Sequence, residues 1–280
     1  MRNFTFKGQL LTAVFMLLGC LSIQAANDDL ITKQITINLD KAGTLPNKIA
    51  SSEMYKITNL KIIGEINGTD WNMIREMAGR DNRGYGTEGK LSVLDLSEAK
   101  IVKGGDSYYP GDNCYTSNDE IGEKAFKDCS RLTSLTLPVG ITSIGYDAFA
   151  YCSGLTSLTL PAGITSIGEY AFSGCSGLTS IYVYAEKVPR IGRYAFEGCA
   201  SRKCTLYVPK GTYDNYRLSE FGYFENIVEF DATGIDKTTT STDVEEVSRY
   251  SADGQRLAVP VKGLNIVKYS DGTARKVVVK

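Results

Sequence analysis

Apolar residues recur in the middle of the chain at a fixed spacing, and the same short motif surrounds them each time. The motif begins IGxxAFxxC and continues, in its clearest copies, as xxLTSLTLP. Its four copies start at Ile121, Ile144, Ile167 and Ile191, with spacings of 23, 23 and 24 residues. Self-similarity at such a period indicates a chain of stacked units rather than one globular core.

Two apolar residues two positions apart mark a short strand in each copy, because such side chains point to the same side. The pairs are Leu135 and Leu137, Leu158 and Leu160, Ile181 and Val183, and Leu206 and Val208. No single unit buries its apolar side, so stacked units share one continuous core with strands about 4.8 Å apart. The period lies within the range of about 20–29 residues typical of leucine-rich repeats. The pattern therefore predicts a leucine-rich-repeat solenoid, with short parallel β-strands on one face and turns and short helical segments on the other.

The glycine after each first isoleucine is interpreted as a turn residue that needs a permissive backbone. These glycines are Gly122, Gly145, Gly168 and Gly192.

The same strand pattern continues upstream in a divergent form. Leu94 and Leu96 lie in LSVLDLSEAKI, and Leu60 and Ile62 lie in ITNLKIIGEI. Between them, residues 71–79 have helical apolar spacing, and Asp70 is the predicted N-cap. A short strand is also predicted at residues 34–39. Terminal units of a solenoid are atypical because they shield the ends of the core.

Residues 121–209, with their repeated IGxxAFxxCxxLTSLTLP, resemble the BspA-like leucine-rich repeats of surface proteins from Gram-negative anaerobes. Residues 58–101 are similar to the divergent first unit of such proteins, and residues 213–230, ending in NIVEF, to their last unit. The fourth copy departs from the pattern, with an extra residue and Cys204 near a leucine position. The resemblance implies surface proteins that bind host extracellular-matrix or plasma proteins, or other bacteria.

The first 26 residues have the features of a secretory signal. Arg2 and Lys7 precede an apolar stretch that is too short to span a bilayer, and Ala25 and Ala26 offer a cleavage site. A second interpretation is a lipobox ending at Cys20, which would leave an acylated, tethered protein. Cleavage at the alanines is favoured because the segment stays apolar beyond Cys20.

A Thr-rich stretch separates the solenoid from a C-terminal segment that alternates apolar and polar residues around two Asp-Gly turns. Two roles stay open for this segment: a sorting signal that is removed, or a small β-module that caps or tethers the solenoid. The predicted organisation is 1–26 signal peptide, 27–56 lead-in, 57–231 solenoid, 232–243 linker and 244–280 C-terminal β-module.

Composition argues against catalysis and against nucleic-acid binding. The chain has no histidine, which removes the commonest general base and metal ligand. Its 31 Lys and Arg residues balance 32 Asp and Glu residues, so no basic excess suggests phosphate binding. The Gly-rich residues 81–89 lack the spacing of a P-loop. We therefore expect no enzyme activity, no cofactor and no resident metal.

Four cysteines occupy one position of the repeat: Cys129, Cys152, Cys175 and Cys199. A zinc site needs four ligands that converge, whereas a ladder points its side chains in parallel. The strand spacing also exceeds the distance of about 3.8 Å that a disulfide prefers between Cβ atoms. Buried free thiols are therefore predicted, and a small disulfide loop between Cys199 and Cys204 stays open as an alternative.

An insertion at residues 102–120 carries oxygen ligands and tyrosines. The oxygen-bearing side chains are Asp106, Asp112, Asn113, Asn118, Asp119 and Glu120. Their spacing matches no EF-hand loop, so a solvated loop is favoured over a calcium site. Tyr108, Tyr109 and Tyr115 make the insertion a candidate contact surface, since exposed tyrosine gives a large rigid contact area.

The residue between the two inward positions of each strand must point outward. This row runs Asp95, Thr136, Thr159, Tyr182 and Tyr207, and a second row runs Ser134, Ser157, Ser180 and Thr205. The face is thus predicted to change from acidic, through hydroxyls, to tyrosine. Thr136 and Thr159 are well explained as strand formers, whereas Tyr182 and Tyr207 are equally consistent with strand formation and with partner binding.

Two functions follow from different classes. The first is an exported, non-catalytic adhesion protein that binds host or bacterial proteins through its strand face, with Tyr108 and Tyr109 as further contacts. The second is a glycan-binding accessory protein, because tyrosine platforms suit sugar rings. A second tyrosine set on the Ala-Phe side is the alternative surface: Tyr146, Tyr151, Tyr170 and Tyr194.

Overall fold

The computed structural model describes residues 30–109 and 114–232, and strand backbones at 246–251, 256–257, 263–269 and 274–279. The predicted signal peptide, Cys20, nearly all of the linker and both Asp-Gly turns lie outside these residues. The chain divides into two compact units between Asp231 and Ala232, and each unit is described by itself.

The first unit is built on a long parallel sheet. Its strands in chain order are β1 (Ile35–Leu39), β2 (Asn59–Ile66), β3 (Val93–Asp95), β4 (Ala99–Ile101), β5 (Glu120–Ile121), β6 (Ser134–Thr136), β7 (Ser143–Ile144), β8 (Ser157–Leu160), β9 (Ser166–Ile167), β10 (Ser180–Val183), β11 (Arg190–Ile191), β12 (Thr205–Pro209) and β13 (Asn226–Phe230). Within the described residues the main sheet has nine strands, in the order β1-β2-β3-β6-β8-β10-β12-β13, with β4 beside β2. A narrow second sheet runs β5-β7-β9-β11. This architecture confirms the predicted solenoid.

The register places like positions of successive units side by side. Leu60, Leu94 and Leu135 are neighbours across three strands, as are Leu158 and Ile181. All five are buried. The predicted inward positions therefore form the core.

The lead-in contributes a strand to the main sheet. Strand β1 pairs in parallel with β2, from Ile35 beside Leu60 to Leu39 beside Gly64. The observed strand agrees with the one predicted at residues 34–39. This extra strand covers the first edge of the ladder. The sheet therefore begins N-terminal to residue 57, where the solenoid was predicted to start.

The helix of the first unit spans Gly68–Met77 and starts three residues before the predicted one. Its N-cap is Asn67 rather than Asp70, so the predicted cap is wrong. Asp70 lies one turn in, where its carboxylate accepts from the backbone of Asn67 and completes a capping box. The same carboxylate accepts from the amides of Gly43 and Leu45, which ties the lead-in to this helix.

A stack of aromatic rings runs through the core along the repeat axis. The phenylalanines of the Ala-Phe pairs, Phe126, Phe149, Phe172 and Phe196, lie with ring centroids 5.0–5.4 Å apart. Trp71 of the helix closes one end at 5.1 Å from Phe126. Phe221 and Phe224 close the other end, at 5.4 and 5.1 Å from Phe196. The aromatic column therefore has a cap at each end.

Side-chain hydrogen bonds join the units at constant positions. The thiol of Cys152 donates to the Phe126 carbonyl at 3.0 Å, and Cys175 repeats this bond to Phe149 at 3.1 Å. The hydroxyl of Thr156 donates to the Thr133 carbonyl, and Thr179 repeats it to Thr156. These bonds explain why cysteine and threonine recur in the motif.

Side chains of the N-terminal region take the place of a missing unit. Within the ladder, carbonyls of the Ala-Phe loops accept from amides of the preceding unit. The first loop lacks such a neighbour, so Trp71 Nε1 and Arg75 Nη1 donate to its Ala125 carbonyl, at 3.0 and 2.9 Å. Arg80 Nε donates to the Asp128 carbonyl, and the Tyr108 hydroxyl donates to the Glu123 carbonyl. The first edge of the loop ladder is closed in this way.

The repeat glycines are required for a reason other than the one predicted. Gly145, Gly168 and Gly192 do not adopt positive φ. Instead, a Cβ atom on Gly168 would lie 2.5 Å from the carbonyl carbon of Gly145, and one on Gly192 would lie 2.3 Å from the Glu169 nitrogen. Close approach of successive backbones therefore requires glycine here, and the turn interpretation is wrong.

The C-terminal end of the first unit contains a helix, Tyr213–Arg217, a 3-10 helix, Glu220–Tyr223, and strand β13. Tyr216 is buried and its hydroxyl donates to the Ala185 carbonyl at 2.6 Å. Another short 3-10 helix, Leu45–Asn47, precedes β2.

The second unit is an antiparallel sheet. Its described strands are β14 (Glu246–Ser251), β15 (Arg256–Leu257), β16 (Gly263–Tyr269) and β17 (Ala274–Val279), in the order β15-β14-β16-β17. This arrangement confirms the small β-module predicted at the C-terminus.

Candidate functional site

The outward residues of the main sheet form continuous rows, as the alternation predicted. Asp95 lies between Lys61 and Thr136, and Tyr182 lies between Thr159 and Tyr207. The row ends at Val228 of β13, which is 45% exposed. The predicted serine row is also present, and the hydroxyl of Ser180 donates to that of Ser157 at 3.0 Å. We call the surface formed by these two rows the strand face.

Four aromatic rings gather at the C-terminal end of the strand face. Tyr182 and Tyr207 stack in parallel, with ring centroids 4.4 Å apart. Phe230 meets Tyr182 edge-on at 6.0 Å and Tyr184 at 5.1 Å. We call Tyr182, Tyr184, Tyr207 and Phe230 the aromatic patch. Mutual packing holds these rings in place, so little side-chain entropy is lost when a partner binds.

Sequence reasoning missed two members of the aromatic patch. Tyr184 lies one position beyond the inward Val183, and Phe230 lies two positions beyond the outward Val228. Continuing the alternation of β10 by one residue predicts that Tyr184 points outward, and the same step in NIVEF predicts Phe230. The signal was present, but the register of β13 against β12 was needed to bring Phe230 to Tyr182.

The other end of the strand face is not simply acidic. The Lys61 ammonium lies 3.5 Å from an Asp95 oxygen and 2.6 Å from a Glu98 oxygen. Partial burial alone raises the pKa of Asp95, but hydrogen bonds from Ser97 and the charge of Lys61 outweigh it and lower the pKa. The expected acidic end is therefore a cluster of one ammonium and two carboxylates, because Lys61 of β2 occupies the same row.

The prediction that Tyr108 offers an exposed contact is wrong. Its side chain is 1% exposed and packs against Trp71, with ring centroids 6.2 Å apart. Its hydroxyl donates to the Glu123 carbonyl of the first Ala-Phe loop, which has no preceding unit to supply a donor. This hydrogen bond explains why the side chain is buried.

Tyr109 is half-buried and its ring is engaged by cations. The Arg75 guanidinium and the Lys124 ammonium lie 5.2 and 5.3 Å from its ring centroid. Tyr109 therefore packs against the N-terminal helix rather than standing free. Tyr115 alone of the three insertion tyrosines is exposed, at 51%.

Tyrosines on the Ala-Phe side form a second aromatic surface. Tyr170 lies 6.0 Å from Tyr146 and stacks on Tyr194 at 5.3 Å. Tyr151 covers the backbone of Gly174, where an added Cβ would meet its ring at 2.6 Å. These rings pack over the edges of the coils, as expected for tyrosine on apolar surface.

No metal or catalytic cluster emerges from the part of the chain that the structure describes. No three His, Cys, Asp or Glu side chains are grouped there so as to hold a metal ion. Asp106 instead accepts from the Thr69 hydroxyl, and Asn118 from the Lys103 amide. Asp112 and Asn113 lie outside the described residues.

The six described cysteines are free and buried. Burial raises the pKa of Cys129 and Cys204 to about 11 and that of Cys199 to about 12. The thiols are therefore uncharged hydrogen-bond donors at neutral pH, and Cys199 and Cys204 are not joined.

We predict that the five thiols whose pKa burial raises resist alkylation in the native protein: Cys129, Cys152, Cys175, Cys199 and Cys204. At pH 8 iodoacetamide should label them at least about 100-fold more slowly than in denaturant, because the reactive thiolate is absent from the fold. Unfolded thiols ionise near pH 8.5, so the stability that the neutral thiols contribute is complete below this pH. It falls as the pH rises towards 11–12, where the folded thiols ionise. Mass spectrometry after timed alkylation measures the rates; fast labelling of Cys152 or Cys175 in native protein would contradict this.

Within the described residues, no helix has the length and apolar character required to cross a membrane.

Comparison with protein families identifies the repeat. Residues 113–228 match the BspA type leucine rich repeat region, in 6 copies. The resemblance predicted from the motifs is confirmed, and the match ends within β13. The family indicates a protein-interaction role at a surface, and its members are generally non-catalytic. No curated protein matches the chain.

Proposed function

We propose that this chain, a BspA-like leucine-rich-repeat protein, is exported and binds other proteins through the aromatic patch on its strand face. Adhesion to host extracellular-matrix proteins or to bacterial surface proteins is the activity that fits best. The observation that carries the proposal is a rigid cluster of four aromatic rings beside the small hydroxyl side chains of the strand face. Aromatic residues at the centre of a patch dominate the energy of protein interfaces.

The surroundings of the aromatic patch support a protein partner. Thr136, Thr159 and the serine row provide a flat polar border, and the Lys61–Asp95 pair adds charges of both signs. Interfaces commonly combine an apolar centre with such a polar rim. An extended partner segment that lies across the strands would contact both.

Ring geometry favours protein over glycan. Sugars pack on exposed ring faces, whereas Tyr182 and Tyr207 cover one face of each other at 4.4 Å. Phe230 meets Tyr182 at a steep angle, which further reduces the ring surface that a sugar could stack on. Glycan binding by this surface is the alternative that the binding experiments separate.

The proposal keeps the predicted processing and organisation. Residues 1–26 direct export and are removed after Ala25 or Ala26, with lipid attachment at Cys20 as the alternative. The solenoid carries the binding surface, residues 232–243 link it to the C-terminal β-module, and that module either sorts or tethers the protein.

Removing both stacked rings should weaken partner binding with a limited effect on stability. The double change Tyr182→Ala and Tyr207→Ala is expected to weaken binding about tenfold or more, because it removes the centre of the patch. The lost stacking should cost only about 0.5–1.5 kcal/mol of stability. Surface plasmon resonance and thermal melting measure the two effects.

Two variants serve as controls. Tyr182→Phe with Tyr207→Phe keeps the packing and tests the hydroxyls alone. Tyr85→Ala with Tyr146→Ala removes two exposed rings elsewhere, which are 68% and 42% exposed, and should leave binding unchanged. Equal loss of binding in this control and in the patch variant would refute the assignment, as would loss of the fold in the patch variant.

A further inference from the structure

Backbone hydrogen bonds join the Ala-Phe loops of successive units in a constant pattern. We number the units that begin at Ile121, Ile144, Ile167 and Ile191 as units 1 to 4. Three amides of each unit donate to three carbonyls of the next. In unit 3 these bonds run from Tyr170 N to Arg193 O at 3.1 Å, from Phe172 N to Ala195 O at 2.7 Å and from Gly174 N to Glu197 O at 2.7 Å. The backbone of each following unit thus occupies a site that the preceding unit offers.

Unit 4 offers the same three amides, but no fifth loop follows it. Among residues 30–109 and 114–232, no acceptor pairs with the amides of Tyr194, Phe196 or Gly198. Residues 191–197 line a cavity of about 340 Å³ together with Glu220 and Tyr223. We call the backbone of residues 191–198 the open loop edge. Backbone amides that lie beside a concave site and lack an acceptor favour a ligand that brings carbonyl oxygens.

A second copy of the chain does not satisfy the open loop edge. Two of the three complementary carbonyls of unit 1 already have donors: Glu123 accepts from Tyr108, and Ala125 accepts from Trp71 and Arg75. Two open loop edges brought together would present donors to donors. This complementarity favours a segment of another protein with free backbone carbonyls.

We propose that the open loop edge binds a turn-forming peptide segment of a partner protein through its alternate carbonyl oxygens. The occupant reproduces the chemistry of residues 168–174, which fill the equivalent site on unit 2. The proposal is independent of the strand face, because the two surfaces share no residue. It assigns the protein a second, main-chain recognition site beside its side-chain site.

Two features of the ladder define the peptide. The fourth residue of each unit has positive φ, at 54° in Asp147, 55° in Tyr170 and 57° in Tyr194. Glycine or a D-residue is therefore favoured at this position of the peptide. Phe221 and Phe224 already pack on Phe196, so they fill the position that the phenylalanine of a further unit would occupy. The peptide should therefore carry a small residue, glycine or alanine, at the position equivalent to Phe172.

Hydrogen exchange of the purified protein is the first test. The amides of Phe196 and Gly198 should exchange at least about 100-fold faster than those of Phe172 and Gly174, which are bonded within the ladder. Equal protection would mean that the open loop edge already has acceptors, and it would overturn the proposal.

A synthetic peptide is the second test. The probe is acetyl-Gly-Glu-(D-Ala)-Ala-Ala-Ser-Gly-amide, a copy of residues 168–174 with D-alanine for Tyr170 and alanine for Phe172. Titration followed by NMR should shift the amides of Tyr194, Phe196 and Gly198 saturably and slow their exchange. L-proline in place of D-alanine should weaken binding about tenfold or more, since proline holds φ near −65°.

Matched variants of the protein locate the site. Glu220→Trp fills the mouth of the cavity and should abolish the shifts. Leu218→Trp adds the same ring two residues away at a position that is 89% exposed and outside the cavity, and it should bind normally. No saturable shift at millimolar peptide, or equal binding of the D-alanine and L-proline peptides, would overturn the proposal. Normal binding by Glu220→Trp would do the same.

Discussion

Replacing Trp71 by alanine should destabilise the solenoid by about 3–5 kcal/mol, the cost of removing a large aromatic side chain from a core. Trp71 is 1% exposed, packs on Phe126 at 5.1 Å and donates to the Ala125 carbonyl. Its loss opens a cavity at the end of the aromatic column and removes one donor from the edge of unit 1. Chemical denaturation followed by fluorescence or circular dichroism measures the change.

Trp71→Phe separates packing from hydrogen bonding. This variant keeps an aromatic ring against Phe126 but loses the Nε1 donor. Because Arg75 also donates to the Ala125 carbonyl, the loss of that bond should cost only about 1 kcal/mol. A loss below about 1.5 kcal/mol in Trp71→Ala itself would mean that the column does not need its cap.

Adding one methyl group at Gly168 should destabilise the protein by about 1–3 kcal/mol or more. The new Cβ would lie 2.5 Å from the Gly145 carbonyl carbon and 2.6 Å from the Tyr146 nitrogen. Both are backbone atoms of the preceding unit, and the Gly145 amide donates to the Ile121 carbonyl of the unit before it, so neither atom moves without disturbing the stack. Thermal or chemical denaturation gives the free-energy change.

Gly163→Ala, five residues earlier in the chain, is the matched control. Its added Cβ would meet only the Ile141 carbonyl oxygen, at 3.6 Å, an ordinary contact. Reduced entropy of the unfolded chain should make this change neutral or stabilising by about 0.4–1 kcal/mol. Similar losses in both variants would show that the close approach at Gly168 is not what requires glycine.

The repeat was predictable because each unit carries its own strand, loop and core positions. Leu158, Phe149 and Cys152 have the same surroundings as their equivalents in neighbouring units, so a local pattern was enough to place them in the core. The helix near Trp71 was also predicted, although its N-cap was placed three residues late. Asp70 has the residue type of a cap, but its carboxylate instead binds the amides of Gly43 and Leu45, which are distant in sequence.

The ends of the solenoid were less predictable, because their residues compensate for neighbours that are missing. Tyr108 lies in a polar, tyrosine-rich insertion that suggests exposure, yet its hydroxyl closes the edge of unit 1. Phe230 joins the aromatic patch only through the register of β13 against β12. The open loop edge follows from the bonds between units, which no single residue type reveals.

The most direct test of the proposed function is a binding panel. Purified protein is applied to immobilised extracellular-matrix and plasma proteins and, in parallel, to a glycan array, with the Tyr182→Ala/Tyr207→Ala variant beside it. We expect saturable binding to a protein surface that the variant loses at least about tenfold, with no glycan signal. Binding to glycans alone, or protein binding that the variant retains, would contradict the account.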